Sequence, residues 1–170
     1  MSFCEPTKIT DNIYGVLYSK LVINASITGL ATLSGLCLGE LLSDYHNRLL
    51  FMGIANEVVT IADHLGISLE KVGGFNVRNF SHNGSSGIGP WKKHQILKFI
   101  GRKRYHLKPT GLKSLEKGNA SEIEFINGYI VDKGKELGIE TPLNEKIVRL
   151  VKEIEAGNRN ITPDNLLKLS

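Results

Sequence analysis

Cysteine is almost missing from this chain: of 170 residues only Cys4 and Cys37 carry a thiol, and no C-x-x-C pair occurs. That excludes a disulfide framework and a zinc knuckle, and it fits a reducing cytoplasmic compartment. The opening residues Met1 to Ile13 contain Glu5, Lys8 and Asp11 and no apolar h-region, so no secretory signal is expected and triplets such as Asn119-Ala120-Ser121 carry no glycosylation meaning. With only 5 prolines and 22% charged residues the chain is neither a low-complexity polymer nor a disordered tail. A dinucleotide fingerprint is lacking too. Gly84-Ser-Ser-Gly-Ile-Gly89 has neither the G-x-G-x-x-G spacing nor the Lys-Ser/Thr of a Walker motif, and reads as a connection.

Long hydrophobic runs are scarce. The stretch Leu21 to Gly39 is uncharged, but Asn24, Ser26, Thr28, Thr32 and Ser34 make it polar in places and Gly29, Gly35 and Gly39 interrupt it. A buried helix of a soluble core is expected there rather than a membrane span.

What is present is a chain of single-domain length, 41% apolar, patterned for helices. Ile13, Val16, Leu17, Leu21, Ile23, Ile27 and Leu30 fall at helical spacing over about Asp11 to Leu33, with Asp11 or Asn12 available as cap. A second helix is expected over Asp44 to His64 with a stop at Gly66, a long loop over Gly73 to Pro90, and a shorter helix from Trp91 to about Ile100. Ser121 and Glu124 have capping-box spacing before a helix ending at Gly138. Thr141-Pro142 opens another helix, with Ile147, Leu150, Val151 and Ile154 as its buried stripe before Gly157. Nothing alternates long enough for a sheet, so residues 1–170 are expected to form one all-α domain.

Three features could carry chemistry. Lys20, Asn24 and Thr28 stand at i, i+4 and i+8, which places an ammonium, an amide and a hydroxyl on one helix face. Such a row is costly in a core unless a polar ligand meets it. A lysine at the end of an apolar helix is also the ordinary snorkelling residue. Glu122, placed after Ser121 at the first helical position, is where a helix dipole favours a carboxylate, and equally a plain first-turn residue. Trp91 to Lys108 holds Lys92, Lys93, Lys98, Arg102, Lys103, Arg104 and Lys108 and no acid. Without these seven, fourteen basic residues face seventeen acidic ones, so the net charge of +4 is local. With no helix-turn-helix, RRM or KH signature beside it, the segment reads as a solvated face or small-anion site ahead of a nucleic-acid patch.

Two blocks carry a resemblance. Lys20-Leu-Val-Ile-Asn24-Ala-Ser26 resembles the K-L-x-x-N-A opening of the C-terminal, substrate-side domain of ketopantoate reductases (2-dehydropantoate 2-reductases). The second block, Lys108-Pro-Thr-Gly-Leu112, Leu115-Glu-Lys-Gly118, Ser121-Glu-Ile-Glu-Phe-Ile-Asn-Gly128 and Leu137-Gly-Ile-Glu-Thr-Pro-Leu-Asn-Glu145, resembles the family's later run in order and spacing. The resemblance implies an all-helical bundle like the C-terminal domain of 6-phosphogluconate dehydrogenase. In the complete family enzyme it closes against an N-terminal Rossmann domain holding NADPH, and a 2-keto acid is reduced on the path to pantothenate.

It further implies that Lys20 is the catalytic lysine, hydrogen-bonding the ketone oxygen and protonating the alkoxide. Glu122 matches the family's acidic residue that binds substrate and orders the site. Asn24 and Thr110 match substrate contacts, Thr110 where the family has a serine for the carboxylate. Two departures, Thr28 for a second asparagine and Ser114 for an aspartate, also fall near the substrate. The Rossmann half is expected to be missing or separate, so that this chain alone neither binds NADPH tightly nor turns over. Its exposed docking face makes a homodimer an expected alternative to a domain partner. The competing reading, from another class, is a non-catalytic interaction module whose basic surface binds an acidic partner or nucleic acid.

Overall fold

Asn12 settles where the first helix begins. Its Oδ1 accepts the Gly15 N–H at 3.0 Å, while its Nδ2 donates to the Ser68 carbonyl at 2.7 Å and to Glu70 Oε1 at 2.9 Å. The structure, a computed structural model, describes residues 10–81 and 89–169. Cys4 and most of the glycine-rich run 84–89 lie outside those residues.

Helix α1 (Ile13–Ser34) is the axis of the bundle, with Val22, Ala25, Leu30 and Leu33 fully buried. It packs against α3 (Tyr45–His64), α5 (Thr110–Glu116), α7 (Pro142–Glu155) and a C-terminal 3₁₀ turn (Pro163–Leu169). Three of its buried serines are hydrogen-bonded, whereas Thr32 Oγ1 is buried without a partner. Ser26 and Ser34 hydroxyls donate to the carbonyls one turn back, at 2.8 and 2.7 Å, and Ser19 Oγ accepts the Glu70 N–H at 2.8 Å. By length and composition α1 could cross a membrane, yet 61% of its most apolar window is buried inside the fold.

The uncharged stretch 21–39 is not one helix, as expected, but the end of one and the start of another. Gly35 adopts φ +75°, a left-handed conformation that stops α1, and its N–H closes onto the Ala31 carbonyl at 2.9 Å. After it, α2 (Leu38–Ser43) starts with the Cys37 N–H donating to Glu40 Oε2 at 2.9 Å. This backbone hydrogen bond holds the Glu40 carboxyl below its ordinary range.

The expected helix over 44–64 is α3, capped by Asp44 Oδ1 on the Asn47 N–H at 2.9 Å. The region read as a loop from Gly73 to Pro90 contains more order than that. Strands β1 (Lys71–Val72) and β2 (Phe75–Asn76) pair antiparallel across Gly73 and Gly74, and a 3₁₀ turn (Val77–Phe80) follows. Two residues per strand are too few to show alternation, so the pattern was invisible. Val77 and Phe80 anchor the turn in the core.

Beyond it lie α4 (Pro90–Lys103), α5, a π-helical turn (Glu124–Gly128) continuing into α6 (Tyr129–Leu137), and α7. The capping box at Ser121 and Glu124 does not form. Ser121 N–H and Oγ both donate to Glu155 Oε1 of α7, at 2.8 and 2.7 Å, and Glu124 pairs with Lys152 of the same helix. Ser121 Oγ still accepts the Ile123 N–H at 3.3 Å, but the glutamate end of the motif has gone to a tertiary partner.

Gly111 shows how closely α5 lies on α1. A Cβ there would come within 2.7 Å of Thr28 Cγ2 and 2.8 Å of Thr32 Oγ1. Gly111→Ala should therefore cost about 1–3 kcal/mol by overpacking. A lowered midpoint of thermal unfolding checks this, and an unchanged one would mean that α5 does not sit there.

Candidate active-site cleft

One face of α1 remains open to solvent. Ile13, Leu17, Lys20 and Asn24 follow one another at i, i+4, i+7 and i+11, and all four are exposed. The first two are 53% and 52% exposed, an apolar stripe that runs into the polar pair. Lys20 and Asn24 then form part of the wall of a cleft of about 340 Å³.

The rest of that cleft is mainly apolar. Ile23 and Ile27 of α1, Leu38 and Leu42 of α2, Phe51 of α3, Phe80 and Leu97 line its depth, and Val72, Gly73 and Phe75 of the hairpin line its edge. Phe99, Ile100 and Lys103 of α4, with Arg104 and Leu107 just after it, complete the wall. The connector that follows is tied down by backbone bonds: Leu38 N–H donates to the Leu107 carbonyl and Gly39 N–H to the Tyr105 carbonyl, both at 3.0 Å. Three cations and one amide thus meet an apolar chamber, and among the described residues no acidic one is in its walls.

The basic segment is divided among tasks. Lys93 is 6% exposed and donates to the Ser81 carbonyl at 2.6 Å; Lys108 pairs with Glu116 at 2.6 Å. With Lys103 and Arg104 in the cleft, Lys92, Lys98 and Arg102 remain on the outer side of α4.

The other residues named from the sequence are absent from the cleft's wall. Thr28, third in the row, is 6% exposed and lies against Gly111, next to Thr110 at the start of α5. Ser121 Cβ also lies near the same glycine, 4.0 Å from where a Cβ would stand. Glu122 is exposed and stands at the helix cap rather than inside the first turn, since its carbonyl accepts the Phe125 and Ile126 N–H groups at 3.1 Å. Ser114 is half-buried on α5, its carbonyl accepting from Lys117 and Asn119.

Sequence reasoning missed a buried polar network that ties α3, α7 and the π-helical turn to α1. Glu57 of α3, 9% exposed, accepts the Leu143 N–H at 2.8 Å and the Asn144 N–H at 3.1 Å, and so caps α7. Its Oε2 also accepts from Asn144 Nδ2 at 2.6 Å. Asn144 Oδ1 in turn accepts from Asn127 Nδ2 at 2.8 Å, and that amide also donates to the Ala25 carbonyl of α1 at 3.1 Å. Burial pushes the Glu57 carboxyl above its usual range, against the opposing effect of these donors. The π-helical turn brings Asn127 into the network, fully buried.

Residues 12–155 match the family model described as ketopantoate reductase PanE/ApbA, C terminal. The chain belongs to this family. Curated relatives include the 2-dehydropantoate 2-reductase of Aquifex aeolicus, 29% identical over 90% of this chain and 44% of its own length. That of Archaeoglobus fulgidus is 24% identical over 83% and 40%. Among solved structures, the PanE/ApbA family ketopantoate reductase from Ralstonia eutropha JMP134 superposes with a TM-score of 0.71 at 23% identity, over 91% of this chain and 45% of that one. D-mandelate dehydrogenase with NADH and anilino(oxo)acetate superposes at 0.70 and 23%, over 89% and 44%. These superpositions establish the all-helical fold. The chain spans less than half the length of the relatives it matches.

As a ketopantoate reductase C-terminal domain, the chain uses its motif residues in two ways. Lys20 and Asn24 face the cleft, whereas Asn127 of the Ile-Asn-Gly block and Asn144 of the Thr-Pro-Leu-Asn block hold helices together. A dinucleotide requires a strand, a glycine-rich turn and a helix N-terminus for its diphosphate. Among the described residues the strands are two residues long and form a hairpin, so they do not fit a diphosphate.

Proposed function

We propose that this domain is the substrate-side half of a nicotinamide-dependent reductase of 2-keto acids, of the 2-dehydropantoate 2-reductase type. The observation that carries the proposal is Lys20 and Asn24 standing together in the wall of a mainly apolar cleft whose described walls hold no acidic residue. The nicotinamide supplies reducing equivalents when bound, from a Rossmann domain docked along the Ile13 and Leu17 stripe.

Lys20 Nζ hydrogen-bonds the keto oxygen, and Asn24 one turn on helps to fix the carbonyl's orientation. As negative charge grows on that oxygen, the ammonium stabilises it and then gives up a proton to form the hydroxyl. The apolar walls strengthen the interaction by excluding water. By the family resemblance, Thr28, Thr110, Ser114 and Glu122 serve the part of the substrate and cofactor that extends beyond the cleft. NADPH as the reductant, a cytoplasmic location, a place in pantothenate synthesis and homodimerisation complete the proposal at the level of the family.

Titration of the chain with ketopantoate, followed by backbone amide NMR, tests the reading. Saturable shifts at Lys20 to Asn24, absent with the matching acid that lacks the keto group, are expected. Shifts confined to residues away from α1 would overturn it.

A further inference from the structure

Between Glu70 and Glu116 the sequence holds ten lysines and arginines and no acidic residue. The fold puts three of those cations to local use: Arg78 pairs with Asp63, Lys108 pairs with Glu116, and Lys93 donates to the Ser81 carbonyl. Lys92, Lys98 and Arg102 have no ion-pair partner among the described residues. They lie on the side of α4 turned away from Lys93, Leu97 and Gly101, which are buried.

Two large rings share that outer side, Trp91 at 71% exposure and Phe99 at 61%. By helix geometry Trp91, Lys92, Gln95, Lys98, Phe99 and Arg102 fall within about 120° of the helix circumference, with the two rings about 12 Å apart along its axis. Gln95, Lys98, Phe99 and Arg102 line a hollow of about 300 Å³, Phe99 being common to this hollow and the substrate cleft.

Unpaired cations without an acid beside them select an anionic partner. Gln95 stands midway between the rings and the cations border them, so the face has no continuous apolar band to bury in a bilayer. A second copy docking about a twofold axis would set these cations against themselves. Rings interleaved with cations suit a strand whose bases stack on the rings while its phosphates meet the cations. Bases of a duplex are already stacked on one another, which leaves the unpaired strand as the fit.

We propose that the outer face of α4 is a docking surface for single-stranded nucleic acid, with bases stacked on Trp91 and Phe99 and phosphates held by Lys92, Lys98 and Arg102. The hollow takes one base against Phe99, with the Gln95 amide at its edge. Stacking and phosphate contacts carry no sequence information, so binding tolerates any base order. The surface uses cations that the cleft leaves out, and it does not depend on the 2-keto acid reading.

Trp91 is the chain's one tryptophan, so its fluorescence reports stacking directly. The test is titration of the chain with single-stranded oligothymidylate of about ten nucleotides, followed by Trp91 emission and, with a labelled oligomer, by anisotropy. Saturable quenching is expected. Affinity should fall about tenfold or more between about 50 and 200 mM salt, as for a strand neutralised at about three phosphates. Lys98→Ala/Arg102→Ala should weaken binding by about tenfold or more at low salt and flatten the salt dependence. Trp91→Ala should weaken it at least about fivefold. Circular dichroism matching that of the parent chain shows each variant folded.

Absence of binding, or binding undiminished by both sets of substitutions, would overturn the proposal. So would equal affinity for a duplex of the same length or for polyglutamate, which would show charge alone at work, and so would preferential binding to phosphatidylserine vesicles.

Discussion

Replacing Glu57 with alanine will destabilise the domain by about 3 kcal/mol or more, a large share of the roughly 5–15 kcal/mol that holds a domain together. Among the described residues the carboxylate is the one side-chain cap on the first turn of α7, accepting from Leu143 N, Asn144 N and Asn144 Nδ2. Removing it leaves donors in the core without partners, at about 1–3 kcal/mol each, and opens a cavity. Relief of the carboxyl's own burial offsets part of the loss. Because Asn144 also positions Asn127, which holds the Ala25 carbonyl of α1, the damage reaches the helix that carries Lys20 and Asn24. Chemical denaturation of wild type and variant measures it.

The same residue has a pH signature opposite to that of most structural carboxylates. With its folded pKa raised, the native state binds Glu57's proton more tightly than the unfolded state does. Its contribution is fully present below the unfolded value and is lost as pH rises through the folded one. The stability difference between wild type and Glu57→Gln should therefore shift in favour of wild type as pH falls from neutral into the ordinary carboxylate range. A shift the other way would mean that the three donors, not burial, set its protonation.

Lys20→Ala is the second large effect, and it falls on chemistry instead of stability. In an enzyme completed by a cofactor-side domain it should lower kcat/KM by about 10²–10⁴-fold, the usual worth of a positioned acid and oxyanion donor. The fold should be unaffected, since the ammonium is exposed and has no partner among the described residues. Lys20→Arg separates the two roles. A guanidinium keeps the charge but does not release a proton, so substrate affinity should recover further than kcat does. Equal recovery of both would assign Lys20 to binding alone.

The difference between what the sequence showed and what it hid has physical causes. Lys20 and Asn24 were legible because helical spacing alone puts them on one face. Thr28 belongs to the same row, but the close approach of Gly111 buries it, and that contact depends on α5, which no local pattern announced. Lys103 and Arg104 were visible only as members of a basic run, because their place in the cleft comes from backbone bonds between α2 and the connector after α4. Glu57 left a signal that could have been used: it is the only acidic residue in α3 before Asp63 and is followed by Val58 and Val59. A lone carboxylate on the buried side of a long helix needs a partner, though nothing nearby in sequence says that α7 provides it. Gly35 was seen, but whether it would interrupt α1 or be absorbed into it depended on packing against α2.

The central claim is that this domain holds a 2-keto acid on α1 for reduction by a nicotinamide carried elsewhere. It is tested most directly by joining the chain to the cofactor-side domain of a related 2-dehydropantoate 2-reductase, such as that of Aquifex aeolicus, and following NADPH oxidation. The account predicts oxidation that depends on added 2-keto acid and disappears with Lys20→Ala. A folded, associated pair that oxidises no NADPH with any 2-keto acid, or does so equally well without Lys20, would contradict it.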